Sequence, residues 1–142
     1  MSRRIICSLL ILFIICTQSA CGSKYSEVES QFMEEYYKII QNVDSKEVDD
    51  ILLKLQSKEN TDILNKMNQL LQENKDIRKG NEKKFDKLQV LYTGLVDLKD
   101  AYEKWDSYDL DKQDYLNSQL NYIYVYISQL EYEKKQNSER EK

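Results

Sequence analysis

The sequence predicts an all-α fold, an elongated antiparallel bundle of three to five helices with coiled-coil-like packing. Three observations lead to this prediction. The chain of 142 residues contains no proline and only three glycines, whereas sheet and α/β folds need frequent turn residues. It is rich in Lys, Glu, Asp, Gln, Leu and Ile, a composition typical of long helices. Its apolar residues recur at steps of three and four, the period of a helix with one buried face.

The first half of the chain contains two or three predicted helices. The first is expected from about Ser26 to Asn42. Asp44 and Glu47 are expected to form a capping box that starts the second. A polar patch then interrupts the apolar stripe, and either one helix continues through it or Asn60 or Thr61 caps a new helix. We favour a break near Ser57–Asn60. The residues that form these stripes are Val28, Phe32, Tyr36, Ile39, Val43, Val48, Ile51, Leu52, Leu55, Ile63, Leu64, Met67, Leu70, Leu71 and Ile77.

The second half contains two predicted helices that begin after a clear interruption. Gly80 suits left-handed backbone geometry and Asn81 is expected to cap the next helix. Gly94 lies inside that helix, where it would let a neighbouring helix approach closely. The alternation of Tyr122 to Ile127 taken alone would indicate a strand, but its helical flanks decide against one. The two stripes are Leu88, Leu91, Leu95, Leu98, Tyr102 and Trp105, then Leu116, Leu120, Ile123, Ile127 and Leu130.

The first two dozen residues have the composition of an export signal. Arg3 and Arg4 precede an apolar run from Ile5 to Cys16, which is too short to span a hydrocarbon core that needs roughly 20 residues. Small residues and Cys21 follow this run. Ordinary secretory cleavage after Ser19 or Ala20 and an uncleaved anchor are alternatives to a lipid anchor.

Cys21, preceded by Ser19 and Ala20 and followed by Gly22, resembles the lipobox of bacterial lipoproteins. The resemblance covers residues 1–23, and Gln18 stands where that family usually has an aliphatic residue. It implies that the signal is removed before Cys21, whose sulfur then carries diacylglycerol. The resemblance therefore predicts a protein anchored by lipid to the extracytoplasmic face of the cell membrane.

Four regions follow from these observations. Residues 1–20 are the predicted signal peptide, 21–25 a lipidated tether, 26–132 the helical domain and 133–142 a polar, frayed tail. A bias toward Asn, Lys, Ile and Tyr suggests an AT-rich genome, as in low-GC Gram-positive bacteria. The chain as a whole also resembles small helical Gram-positive surface lipoproteins, some of which are described as cell-wall-binding.

Charge and composition exclude several classes of function. The signal carries two of the 21 basic residues and none of the 25 acidic ones, so the mature chain has a net charge of −6. Such a charge disfavours both nucleic-acid binding and polybasic adsorption to anionic lipid headgroups. The chain has no histidine, which excludes Ser-His-Asp and Cys-His catalysis and the common zinc sites. With Cys21 acylated, no disulfide is possible. We predict no cofactor, no metal and no enzymatic activity.

The acidic residues do not form a recognisable metal or catalytic site. Asp106, Asp109, Asp111 and Asp114 lack the spacing and the glycine of a calcium loop, and they are expected to cap a helix. Carboxylate pairs such as Glu34 with Glu35 are expected on solvated helix faces.

The 11 tyrosines exceed what one small core can hold. Tyr122, Tyr124 and Tyr126 lie on different faces of one helix, so at least one is expected at the surface. We predict that these three tyrosines and Trp105 form a binding surface, although boundary packing with hydroxyls in water is the simpler interpretation. A lysine-rich region around Gly80 could meet anionic wall polymer or lipid headgroups, although a solvated loop whose lysines match the helix macrodipole is the simpler interpretation.

We expect a non-enzymatic interaction module at the cell surface, whose partner is cell-wall polymer or an envelope protein. One alternative is a structural module, in which the Leu88–Trp105 and Leu116–Leu130 stripes bury against another copy in a homo-oligomer. Another is a lipoprotein of the immunity or exclusion type encoded by mobile elements.

Overall fold

The computed structural model describes residues 24–140, without the side chains of 130, 133, 134 and 137–140. Over this range the chain forms five α-helices and two short 3-10 helices, and no strand occurs in it, which confirms the all-α prediction. The α-helices are α1 at 24–42, α2 at Val48–Leu55, α3 at Lys58–Glu73, α4 at Glu82–Asp100 and α5 at Leu110–Arg140. The 3-10 helices are Lys75–Arg78 and Trp105–Ser107.

Polar contacts between α1 and α3 show that these two helices run antiparallel. The Asn42 side chain donates to the Asn60 side-chain oxygen at 2.9 Å, and Lys66 forms an ion pair with Glu35 further along. The contact earlier in α1 is thus made with the later residue of α3, as antiparallel helices require. Asn60 is 1 % exposed and also donates to the Lys54 carbonyl at 3.0 Å, so it connects α1, the end of α2 and the start of α3.

Helices α4 and α5 form an antiparallel pair with one very close approach. Gly94 on α4 faces Gln119 on α5, where a Cβ atom would collide with the side-chain amide. The Tyr115 hydroxyl donates to Asp97 at 2.8 Å one turn further along. Helix α2 is tied to the end of α4 because Gln56 donates to the Lys99 carbonyl at 2.6 Å. The close approach expected at Gly94 is confirmed.

The five helices enclose one hydrophobic cluster, which is continuous from α1 to α5. Its members lie almost entirely at the positions of the predicted stripes, because a residue every third or fourth position returns to the same helix face. The largest fully buried side chains include Phe32, Tyr36, Ile39, Ile40, Ile51, Leu52, Leu55, Met67, Leu88, Leu98, Leu116 and Leu120.

Three predicted helix starts are corrected by the structure. Helix α2 begins at Val48, and its N-cap Glu47 makes no side-chain cap, so Asp44 and Glu47 do not form a capping box. The break near Ser57 is present, but Ser57 is the cap and accepts from the Asn60 amide, while Asn60 is drawn into the core. Asn81 precedes α4 without capping it, because its side chain donates back to the Ile77 carbonyl.

The ends of the domain also differ from the predicted boundaries. Helix α1 already includes Lys24, and Tyr25 is 2 % exposed, so both residues belong to the folded domain instead of the tether. Helix α5 continues to Arg140, through the segment predicted to fray. This segment is composed of Glu, Lys, Gln and other residues compatible with a helix, and it lacks glycine and proline, so nothing in it interrupts the backbone hydrogen bonds.

The stripe that was expected to run to Trp105 ends earlier. Helix α4 stops at Asp100, Ala101 is buried beside it, and Tyr102 is 40 % exposed. The chain turns there so that α5 can return along α4. The remaining stripes pack inside this chain, with Leu116, Leu120, Ile123 and Ile127 all buried. The described residues of these stripes are therefore covered by helices of the same chain, so a homo-oligomer would have to form through a different surface.

Candidate functional site

Helix α5 begins with a well-formed cap and carries an unusual segment without charge. The Asp109 carboxylate accepts from the Lys112 amide at 2.9 Å, the N-cap arrangement that stabilises a helix start. From Tyr115 to Leu130 there are 16 consecutive uncharged residues, although 32 % of the whole chain is charged. Both the buried and the solvent-facing sides of this segment are therefore free of charge.

Tyr126 lies on the inner edge of α5, where it packs against α1. Its ring is 5.1 Å from that of Tyr36 and 5.5 Å from that of Tyr37, both in edge-to-face geometry. Burial raises the pKa of Tyr36, and the nearby hydroxyls of Tyr126, Tyr37 and Tyr122 raise it further. Such edge-to-face pairs stabilise packing, so Tyr126 mainly joins α5 to α1.

Tyr124 and Trp105 also have structural contacts. The half-buried Tyr124 donates its hydroxyl to the Lys46 carbonyl at 3.4 Å, which links α5 to the loop between α1 and α2. Trp105 is half-buried against the core in the second 3-10 helix, and its carbonyl accepts from Gln113 at 3.2 Å. These two residues do not share a surface with Tyr122.

Tyr122 is the predicted binding residue that reaches the surface, with 47 % of it exposed. The other large exposed residues in the same part of α5 are Tyr115, Val125 and Tyr132, at 37 %, 56 % and 65 %. Tyr115 and Tyr122 are seven residues apart, as are Val125 and Tyr132. The two pairs are offset by three residues, so all four side chains lie on one face of the helix. With the exposed Ser118 and Gln129 between them, they form what we call the α5 surface: Tyr115, Ser118, Tyr122, Val125, Gln129 and Tyr132.

Sequence reasoning missed Tyr115, Val125 and Tyr132 as members of this surface. Two features of the sequence indicate this surface, namely the seven-residue spacing of its large residues and the long uncharged segment around them. The alternation of Tyr122, Tyr124 and Tyr126 drew attention to three residues that point in different directions on a helix. Large residues that recur every seven positions outside the buried stripe indicate an exposed helix face. Several tyrosines close together in sequence do not, because they point in different directions.

Charged side chains surround Tyr115, the first residue of the α5 surface. Asp97 accepts from the Tyr115 hydroxyl and lies 3.6 Å from the Lys112 ammonium, which is placed 4.7 Å from the centre of the Tyr115 ring. Burial, the hydrogen bond that the Tyr115 hydroxyl donates to Asp97 and the negative charge of Asp97 together raise the pKa of Tyr115 to about 12. Val90 lies seven residues before Asp97, on the same side of α4, and is 51 % exposed.

A polar cleft of about 330 Å³ lies between α3 and α4. Its floor contains Leu71 and Phe85, and its rim contains amides, Tyr92 and the cations Lys75 and Arg78. Arg78 is already paired with Asp86 at 2.7 Å. The cleft has the polar groups to contact a sugar or a small anion.

A basic region surrounds the first 3-10 helix and the start of α4, close to the first described residue. Lys24 pairs with Asp76 at 3.5 Å, and the Lys84 ammonium lies 5.6 Å from the centre of the Tyr25 ring. These contacts put the basic region beside the start of α1. Its exposed cations are Lys75, Arg78, Lys79, Lys83, Lys84 and Lys87.

Glu35 is the buried carboxylate of the described chain, with 5 % of its side chain exposed. It pairs with Lys38 at 3.0 Å and with Lys66. Burial alone would raise the pKa of Glu35, but the hydrogen bonds from the two lysines outweigh burial and hold its pKa below the ordinary value. This carboxylate serves as a structural ion-pair partner between α1 and α3.

Two further observations concern the described residues as a whole. No three acidic or cysteine side chains in residues 24–140 converge closely enough to hold a metal ion. No helix in the same range combines the length and apolar character that a membrane span requires. Cys21 and the predicted signal peptide lie outside the described residues.

The fold and this surface define the class of protein as an all-helical bundle with an exposed tyrosine face. No protein-family model matches the chain, and no curated protein or solved structure has significant similarity to it.

Proposed function

We propose that this protein is a non-enzymatic interaction protein, anchored by lipid at Cys21 to the extracytoplasmic face of the cell membrane. The lipobox-like sequence Ser19-Ala20-Cys21-Gly22 supports the anchor. The burial of Tyr25 supports a very short tether, because only residues 22–24 separate the acylated sulfur from a core side chain. The bundle would then sit directly on the membrane surface.

The α5 surface is the observation that carries the interaction function. Charged side chains keep helical proteins soluble and separate, yet the solvent-facing side of α5 between Tyr115 and Leu130 has none. Tyrosine offers a rigid apolar ring with a polar tip and is enriched at protein interfaces. A line of such residues along an accessible helix suits contact with another protein helix.

The basic region supports the orientation of the bundle on the membrane. Lys24 is three residues from Cys21, and its ion pair with Asp76 joins the start of α1 to the basic region. Clustered lysines near an acyl anchor are attracted to anionic headgroups and strengthen the attachment that a lipid alone provides. The α5 surface would remain free for a partner.

Cell-wall polymer is a second candidate partner, favoured by the cleft between α3 and α4. Tyr92 and the amide and cationic groups on its rim could contact a sugar ring or an anionic substituent. An envelope protein is the better-supported partner because the α5 surface is a line of exposed, uncharged side chains along one helix.

A pull-down from native envelopes with the full-length lipoprotein tests the interaction function. The wild-type chain is compared with Tyr122→Lys, which places a charge in the α5 surface. Leu53→Lys is the matched control, since Leu53 is 51 % exposed but lies on α2. We expect Tyr122→Lys to lose the bound protein at least tenfold and Leu53→Lys to retain it. Capture of peptidoglycan alone by all three proteins would refute the α5 interaction and favour the wall polymer.

A further inference from the structure

The α5 surface has the register of a coiled-coil seam. If Tyr115 occupies heptad position a, then Tyr122 and Gln129 are also at a, while Ser118, Val125 and Tyr132 are at d. All six residues are exposed, whereas the buried stripe of Leu116, Leu120, Ile123 and Ile127 lies on another side of the helix. Helix α5 therefore has one seam used within the chain and a second one open to solvent.

We propose that the partner of this open seam is a second copy of the same chain, bound so that the two α5 helices run antiparallel. A two-fold axis would pass between Tyr122 and Val125. This inference rests on the proposed function, for which it names the partner.

The order of residues along the seam is self-complementary. In an antiparallel pair each a residue faces a d residue of the other helix. Tyr115 would then face Tyr132 of the partner subunit, Ser118 would face Gln129 of the partner subunit, and Tyr122 would face Val125 of the partner subunit. Aromatic residues meet at both ends, polar residues meet between them, and an aromatic–aliphatic pair lies at the centre. A two-fold interface requires this kind of match of one patch with itself.

The residues that flank one side of the seam, at position g, fit the same arrangement. On the other side, Gln119 and Tyr126 at position e already pack against α4 and α1 of the same chain. Position g of one helix faces position g of its antiparallel neighbour, so Asn121 would lie beside Ser128 of the partner subunit. At the ends of the interface, Asp114 would lie beside Lys135 of the partner subunit, a pair of opposite charge. The described chain thus supplies polar neighbours along the middle of the seam and complementary charges at its ends.

The charge of the whole molecule favours self-association at this surface over the rest of the bundle. The mature chain has a net charge of −6, so two copies repel each other when acidic surfaces approach. The seam is uncharged for most of its length of roughly 26 Å, at 1.5 Å per residue. Two copies anchored in one membrane would also meet at a high effective concentration, which compensates for a short interface.

Disulfide cross-linking in membranes tests the pairing and its direction. Two tagged full-length chains are co-expressed, one with Tyr115→Cys and the other with Tyr132→Cys; the processed chain has no other free thiol if Cys21 is acylated. The antiparallel arrangement brings positions 115 and 132 of different copies together, within the short distance a disulfide needs. Two copies of Tyr115→Cys would keep these positions about 26 Å apart.

We expect the mixed pair to cross-link at least ten times more than the Tyr115→Cys pair alone. Adding Tyr122→Lys to both chains should abolish the cross-link, because it places two ammonium groups near the two-fold axis, and adding Leu53→Lys should leave it intact. Circular dichroism of both lysine variants checks that the bundle is folded. Equal cross-linking of all pairs, or none in the mixed pair, would overturn the inference. If cross-linking fails while the wild-type chain still captures a different envelope protein through Tyr122, the proposed function stands and the self-association does not.

Discussion

Individual polar residues decide how tightly α1, α2 and α3 are joined. Glu35 was expected on a solvated face, but it lies between Lys38 and Lys66 with little exposure of its own. Asn60 was a candidate helix cap, but it is buried at the corner of three helices. In both cases the polar group is satisfied by specific partners, as buried polar groups must be.

The Glu35 ion pairs should contribute to stability in a pH-dependent way. Because the pKa of Glu35 is lowered in the folded state, its contribution is present above the pKa of an unfolded glutamate, about 4.3. It is lost as the pH falls through the folded-state pKa. Glu35→Gln should lower the free energy of unfolding at pH 7 by about 1 kcal/mol, measured by urea denaturation, and the difference from wild type should shrink in acid.

Glu34→Gln is the control for this prediction. Glu34 binds the same Lys38 at 2.9 Å, but its side chain is 67 % exposed, so we expect a change below about 0.5 kcal/mol. Equal losses in the two variants at pH 7 would contradict a special role for the buried carboxylate.

Asn60 should be more important than other asparagines of α3. Asn60→Ala would leave the Asn42 amide and the Lys54 carbonyl without their present partner, which should cost about 1–3 kcal/mol in the free energy of unfolding. Asn65→Ala, at an exposed position on the same helix, should change it by less than about 0.5 kcal/mol. Chemical denaturation of both variants compares them directly, and similar midpoints would show that the corner is not constrained by Asn60.

At the scale of elements, the connections between helices are set by local backbone chemistry. Gly80 has a φ of +88°, in the left-handed region that glycine adopts most easily. Its amide donates to the Glu82 carboxylate at 2.9 Å, which holds the pKa of Glu82 below its ordinary value. This turn reverses the chain between α3 and α4.

The loss of stability on substituting Gly80 should depend on how easily the new residue adopts left-handed backbone geometry. Steric contacts should not contribute, since no atom lies within 4 Å of a Cβ placed there. Gly80→Ala should lower the free energy of unfolding by about 1 kcal/mol, and Gly80→Asn by less, because asparagine tolerates this region better. Lys79→Ala, with a negative φ, should be nearly neutral. Thermal unfolding followed by circular dichroism gives the order, and a variant with alanine as stable as wild type would refute the backbone argument.

At the scale of the whole molecule, the exposed cations and the α5 surface lie on different helices. The basic region lies beside the start of α1, the α5 surface is uncharged, and the chain as a whole is acidic, with a net charge of −4. A protein held at Cys21 would therefore present its cations to the membrane and its tyrosines to a neighbour. This arrangement unites the proposed anchor with the proposed self-association.

The anchor predicts how the full-length protein distributes between membrane and soluble fractions. Cys21→Ala should release the protein from membranes and abolish labelling by radioactive fatty acid, because the remaining apolar run is too short to span a bilayer. Cys16→Ala is the control and should leave both unchanged, since that residue lies within the predicted signal peptide. Membrane retention of the Cys21→Ala variant would refute lipidation.

The helical fold, the positions of most buried residues and the glycine turn between α3 and α4 can all be predicted from the amino-acid sequence. These features depend on period, composition and backbone propensity, which act over a few neighbouring residues. Leu88, Leu91, Leu95 and Leu98, for example, are all buried as their spacing predicts.

The burial of particular polar residues and the exposure of particular tyrosines depend on how the helices pack together. Glu35 is buried where Lys66 of another helix pairs with it, and Tyr126 is half-buried because α1 brings Tyr36 and Tyr37 against it. Tyr122 stays 47 % exposed, although its hydroxyl lies near enough to Tyr36 to help raise the pKa of Tyr36. Exposure depends on the placement of helices far apart in sequence, and the spacing of residues along one helix cannot specify it.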